Sequence, residues 1–288
     1  MGCPAFAGGV RVRQHVNPLK KELQVPTEPP VWEEVYEQPG RPMVLDLGCG
    51  YGRFLLALSK AMPGHNMAGL EIRAPIIERA NKWAVNLGLD RSVLFLRGNA
   101  TITLQHTLGG YPGPLDLVCV QFPDPHFKAR HKKRHTVQRQ TVEALGRLMA
   151  PGARVFLQSD VLGVAEHMRD TFEQHGSAWF APCREAHGGA TFCAASEPPP
   201  PQQQQHGEQA QQGASAAGGQ AQAQQQQHHH QQHQQQQQEQ QEASEPQWES
   251  EWAASGWLRD NPLGVPTERE VLTTEQGLPV YRLLLRRT

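Results

Sequence analysis

The ten residues VLDLGCGYGR (44–53) decide the fold. Apolar residues around a single Asp46 read as a buried strand, and the run beginning at Phe54 has helical spacing. Between them Gly48, Gly50 and Gly52 occupy alternate positions, which lets the backbone turn sharply and come close to a ligand. A dinucleotide-binding loop has the pattern G-x-G-x-x-G, and here its sixth position is Arg53, so the third glycine falls one residue early. Glu71 lies 19 residues past Gly52, at the end of a second apolar run, where a carboxylate can accept hydrogen bonds from ribose hydroxyls. The early glycine, with Asp46 as a counter-charge for an ammonium, points to S-adenosylmethionine rather than a nicotinamide dinucleotide.

Outward from this loop, strand-like and helix-like runs alternate. Strands are expected over 43–48, 67–72, 93–99, 115–122 and 153–160, and helices over 52–62, 74–89, 136–149 and 161–174. Pro151-Gly152 stops the third of these helices, and 277–287 reads as a final strand with no crossover helix before it, hence antiparallel. The pattern predicts an α/β fold with a mostly parallel sheet covered on both faces, a Rossmann-like arrangement with an antiparallel last strand. Residues 1–42 are an N-terminal extension and 43–288 one catalytic domain. That domain is interrupted at about 197–247 by a tract of Gln, His, Ala, Gly and Pro that cannot bury enough apolar surface to order itself.

Composition narrows the partners. The chain has 288 residues and a formal charge of −1, but residues 197–251 hold seven Glu and no Lys or Arg. The rest of the chain therefore carries 27 cations against 21 acids, a mildly basic body that suits a polyanion. The five cysteines form no C-x-x-C pair, which implies reduced thiols. No apolar run approaches the length of a membrane span, no metal-ligating pattern is expected to function, and the leader before Arg11 is too short for a signal or transit peptide.

Two further stretches carry chemistry. In RGNATI (97–102), Asn99 and Ala100 end the third strand, where an Asn amide can meet the edge of an adenine and the Ala100 N–H a ring nitrogen. In QFPDPHFKARHKKRH (121–135), Asp124 follows the fourth strand and is held between Pro123 and Pro125, which restrict the backbone on both sides. Lys128, Arg130, Lys132, Lys133 and Arg134 come next, a cluster able to hold phosphates, with Phe122, His126 and Phe127 able to stack on a base.

The combination DLGCGYGRF, GLEIR, GNA, FPDPHFKARHKKRH, LQSDV and NPLGVPTEREV closely resembles the tRNA (guanine-N7-)-methyltransferases that modify guanine 46 of the variable loop, in particular their plant plastid and cyanobacterial branch. The resemblance covers 43–180 and 257–287. It implies the class I S-adenosylmethionine-dependent methyltransferase fold, S-adenosylmethionine as cofactor and tRNA as partner. It also implies cofactor contacts at Gly48, Glu71, Ile72, Arg73, Asn99, Ala100 and Gln121, an active-site Asp at Asp124, and substrate contacts at Lys128 and Asp160. Thr267, Glu268, Arg269 and Glu270 resemble the C-terminal motif that closes over cofactor and guanine. Some eukaryotic relatives work with a β-propeller subunit, whereas bacterial-type relatives act alone. The resemblance suggests a plastid, the short leader a cytoplasmic protein. The competing readings are a methyltransferase for another substrate, which would not need the basic cluster, and a tRNA-binding protein without catalysis, which would not need an intact glycine loop.

Overall fold

The computed structural model describes residues 16–125, 133–183, 192–193 and 248–288. Lys128, Arg130, Lys132, the stacking candidates His126 and Phe127, and the Gln/His tract all lie outside the described residues. The chain divides into a unit of Met1–Ala195 with Trp252–Thr288 and a second unit of Ser196–Glu251. The main sheet and the helices that cover it belong to the first unit.

Seven strands form the main sheet: β1 (Met43–Leu47), β2 (Asn66–Glu71), β3 (Val93–Arg97), β4 (Leu115–Gln121), β5 (Met149–Ser159), β6 (Phe180–Pro182) and β9 (Tyr281–Arg287). Their order is β3-β2-β1-β4-β5-β9-β6. Pairs among the first five strands are parallel, and β9 runs antiparallel to β5 and β6, as the missing crossover helix implied. A two-stranded sheet joins β7 (Phe192–Cys193) to β8 (Trp257–Leu258). The helices are α1 (Trp32–Val35), α2 (Arg53–Ala61), α3 (Ala74–Asn86), α4 (Ala100–Leu108), α5 (Arg139–Leu148), α6 (Leu162–Gly176) and α7 (Glu268–Glu275). Among the described residues no helix is long and apolar enough to cross a membrane.

Every residue of β1 is buried, and its side chains alternate between two cores. Met43, Leu45 and Leu47 join Leu104, Val142, Leu145 and Phe172 on the side of α4, α5 and α6. Val44 joins Leu55, Leu58, Ile77 and Trp83 on the side of α2 and α3. Each fully buried Leu or Phe contributes about 1.5–3 kcal/mol. The segment before β1 is tied down as well: Leu23, Trp32 and Tyr36 are buried, and the Tyr36 hydroxyl donates to the Met67 carbonyl at 3.0 Å.

Several elements depart from the sequence reading: α1, β6, β7 and β8 form where none is expected, and others differ in ways that bear on the site. Helix α4 stands where the sequence reading assigns no element, because ATITLQHTL has no clear apolar stripe. Asn99 caps it, accepting from Thr101 N at 3.2 Å. Strand β5 begins at Met149, ahead of the Pro-Gly pair, because Met149 pairs with Leu115 and the register then shifts before Leu117 meets Arg154; Gly152, at φ +90°, turns the irregularity. Helix α7 is likewise absent from the sequence reading.

Phe95 explains the early third glycine. A Cβ at Gly52 would stand 2.4 Å from the Phe95 ring, and one at Gly69 would stand 2.6 Å from it. Gly52 also sits at φ +75°. Gly52→Ala therefore combines left-handed backbone strain with overpacking, and is expected to destabilise the fold by about 2–4 kcal/mol in chemical denaturation. An unchanged midpoint would show that the loop does not depend on this contact.

Candidate active site

The strand order reverses between β1 and β4, and in open α/β sheets the crevice beyond the carboxyl ends at such a point is where ligands bind. The glycine loop leaves β1 there. Gly48, Gly50 and Gly52 all have positive φ, 83°, 53° and 75°, and the loop is pinned to β2 by Gly48 N donating to Leu70 O at 2.8 Å. Gly48 has open space where a Cβ would stand, so its backbone forms a cradle against the cleft.

At the end of β2, Glu71 is buried and held by its neighbour two residues on: Oε1 accepts from the Arg73 backbone and Nε at 3.0 Å each, and Oε2 from Nη2 at 3.0 Å. Burial pulls the Arg73 guanidinium down, but the Glu71 bond and the charges of Glu71, Asp124 and Tyr51 hold it above its ordinary range. At the end of β3, the Asn99 amide donates to the carbonyls of Pro18 (3.3 Å) and Leu23 (3.2 Å), while its oxygen caps α4. Asn99 therefore lines the cleft but spends its amide protons on the N-terminal segment rather than aiming them at a base. Ala100, beside it, opens a helix whose first N–H groups have no intrahelical partner.

At the end of β4, Phe122 has φ +48°, rare for a non-glycine residue and rarer before proline. Its N–H is locked to Gln158 O at 2.8 Å. Such a conformation stores about 1–3 kcal/mol and persists only where the surroundings dictate it. It turns the chain so that Pro123 and Asp124 reach the mouth of the cleft.

Two adjoining clefts result. The first is lined by Pro18, Glu71, Ile72, Arg73, Asn99, Ala100 and Arg134. The second is lined by Asp46, Gly50, Tyr51, Arg53, Asp160 and the Thr267–Arg269 segment. Gly48, Gln121, Phe122, Pro123 and Asp124 line both. Asp124 thus stands at the junction.

The C-terminal motif forms the start of α7. Thr267 Oγ1 accepts from Glu270 N at 3.1 Å and caps the helix. Glu270 points inward: Oε1 accepts from Arg282 at 2.7 and 3.2 Å, and Oε2 from Asn261 at 2.8 Å and Gln158 at 3.2 Å. Gln158 also donates to Gln121 Oε1 at 2.7 Å, and Gln121 donates to Asp46 at 3.5 Å. At the outer edge Glu268 pairs with Arg53, and Arg269 donates through Nε to Asp160 at 2.9 Å.

The chain is similar to known methyltransferases. The family model described as "Putative methyltransferase" matches residues 40–186. A tRNA (guanine-N(7)-)-methyltransferase of Synechococcus sp. (strain JA-3-3Ab) is 38% identical over 99% of this chain and 90% of its own length. One from Synechococcus elongatus is 36% identical over 96% of this chain and 95% of its own length. The chain belongs to the tRNA (guanine-N7-)-methyltransferase family. A further member, from Synechococcus sp. (strain JA-2-3B'a(2-13)), is 49% identical over 62% of this chain and 74% of its own length.

With the family known, the cleft can be tested against its methyl donor. A cradle at Gly48, a buried carboxylate at Asp46 and acceptors at Glu71 fit a ligand with an ammonium at one end and a ribose near the other. Of the expected site residues, the fold brings together Asp46, Gly48, Gly50, Glu71, Ile72, Arg73, Asn99, Ala100, Gln121, Asp124, Arg134, Asp160 and Thr267–Arg269. Gly52 packs against the core, Glu270 faces the buried polar chain, and Lys133 is exposed outside both clefts. Sequence reasoning missed Gln158, Asn261 and Arg282. The Thr-x-x-Glu spacing of 267–270 is a helix-start pattern that signals α7.

Burial raises the Asp46 carboxyl from 3.8 to about 7, and Glu71 adds to the rise while the Gln121 hydrogen bond opposes it. A carboxyl raised on folding stabilises the ligand-free chain fully below its unfolded value, and that contribution disappears as pH climbs to about 7. An ammonium needs the ionised form. Cofactor affinity is therefore expected to increase as pH rises through about 7, with proton release on binding in calorimetry. Asp46→Asn should flatten this dependence and weaken binding about tenfold or more; an unchanged profile would remove Asp46 from the site.

Proposed function

We propose that this chain methylates N7 of guanine 46 in the tRNA variable loop, with Asp124 as the residue that meets the reacting base. The chain is a tRNA (guanine-N7-)-methyltransferase, and its methyl donor is S-adenosylmethionine. The observation that carries the residue assignment is the position of Asp124 on both clefts. The first cleft suits the adenosine end of the donor, and the second suits its amino-acid end together with an incoming base.

When bound, the donor supplies an electrophilic methyl on a sulfonium. Guanine N7 carries a lone pair and no proton, so the protein needs no general base to activate it, and its task is placement and electrostatics. Asp124, held by Pro123 and by the strained Phe122, favours the positive charge that develops on the guanine ring. Its oxygens can also accept from guanine N1–H and the exocyclic amine, a donor pair that adenine lacks. Glu71 and Asp46 hold the ribose and ammonium ends of the donor. Asp160 and Thr267–Arg269 wall the base side, Glu270 anchors that segment from within, and Lys128, Arg130, Lys132, Lys133 and Arg134 hold tRNA phosphates.

In this reading residues 43–288 are the catalytic domain, 1–42 an extension, and about 197–247 an insertion outside the chemistry. Likeness to bacterial chains supports action without a protein subunit, and the cyanobacterial relatives support a plastid or cytoplasmic setting.

The test is methyl transfer from labelled S-adenosylmethionine to unmodified tRNA and to the same tRNA with A at position 46. Label on the first alone is expected; label on both would discard the position. Asp124→Ala should lower turnover about a hundredfold to a thousandfold with cofactor affinity retained. Near-normal turnover would reject its role.

A further inference from the structure

Beside the second cleft, two arginines cluster around two aromatic rings. The Arg53 guanidinium lies 5.9 Å from the Tyr51 ring centre and 5.2 Å from that of Trp83, and Arg79 lies 5.9 and 4.7 Å from the same rings. Trp83 is buried and serves as the floor. Tyr51 and Arg53 are exposed, at 38% and 44%. Like charges this close repel unless something offsets them. Glu268 pairs with Arg53, whereas among the described residues no acid pairs with Arg79.

The arrangement has a functional logic. A guanidinium lying over a ring keeps its N–H donors in its own plane, directed outward, and the ring fixes its position in advance. Bidentate acceptance by phosphate matches that fork. Tyr51 lines the second cleft together with Asp124 and Asp160, so the cluster stands at the entrance where a base must arrive. A guanine that reacts at N7 inside a folded RNA has to leave its stack, and proteins that accept such bases grip the flanking backbone and offer an aromatic surface to neighbours.

We propose that Tyr51, Arg53 and Arg79 form a second RNA-binding face, distinct from the basic run at 128–134, that holds the phosphates and stacks a base flanking the target guanine. Phosphate replaces Glu268 on Arg53, so docking of RNA loosens the outer edge of α7. This inference rests on the reading of the chain as a tRNA methyltransferase.

Each lost phosphate contact reduces the slope of log affinity against log salt by about 0.7–0.9. For the Arg53→Gln/Arg79→Gln double variant, tRNA binding is expected to weaken about tenfold at physiological salt, with a slope shallower by about 1.5. Tyr51→Leu should weaken tRNA binding with the slope unchanged, since stacking releases no ions. Thermal unfolding checks the fold. Should the double variant unfold, Arg53→Gln alone carries the same test, with a slope change of about 0.8. A wild-type slope in a folded variant would overturn the proposal. The slope is read from binding, so a wild-type chain that binds tRNA without methylating it would defeat the functional reading while still deciding this face.

Discussion

Glu270 is the group on which the cleft's architecture depends. Its two oxygens accept four hydrogen bonds, from Arg282, Asn261 and Gln158, which fills the capacity of a carboxylate. Removing Arg282 would leave a buried uncompensated charge, at a cost of about 3–5 kcal/mol. The pairing also sets direction. Gln158 must present its amide protons to Glu270, and with them to Gln121 Oε1, which turns the Gln121 amide toward Asp46. A residue in the last helix thereby orients a side chain at the first strand, across β4 and β5.

The same contact places the start of α7. In a simple capping box the acid at the third helical position folds back on the cap residue. Here Thr267 still caps, but Glu270 turns inward, and that leaves Glu268 and Arg269 on the outer turn to reach Arg53 and Asp160 across the second cleft. The walls of the two clefts carry Asp46, Glu71, Asp124 and Asp160, and the arginines Arg53 and Arg269 stand at the outer edge. A site that receives a sulfonium and releases a cationic base, while its polyanionic substrate stays outside, requires that division of charge.

Much of this was legible in the residue order. The glycine spacing, Glu71 and the Pro-Asp-Pro turn located the crevice because each is a local backbone constraint. The strand–helix alternation gave the parallel sheet because its period is local too. What stayed hidden was tertiary. Helix α4 lacks an apolar stripe and is stabilised by its Asn99 cap and by packing. The actual task of Asn99, fastening the segment around Pro18 and Leu23, depends on residues some 80 positions away. Likewise Gln158, Asn261 and Arg282 are unremarkable singly and acquire meaning only when the fold collects them around Glu270.

A crystal structure of the chain with S-adenosylhomocysteine tests this arrangement most directly. Adenosine is expected in the first cleft with the ribose on Glu71, the ammonium near Asp46, and the sulfur facing the junction where Asp124 stands. A ligand whose amino-acid end points away from Asp46, or whose sulfur is remote from Asp124, would contradict it.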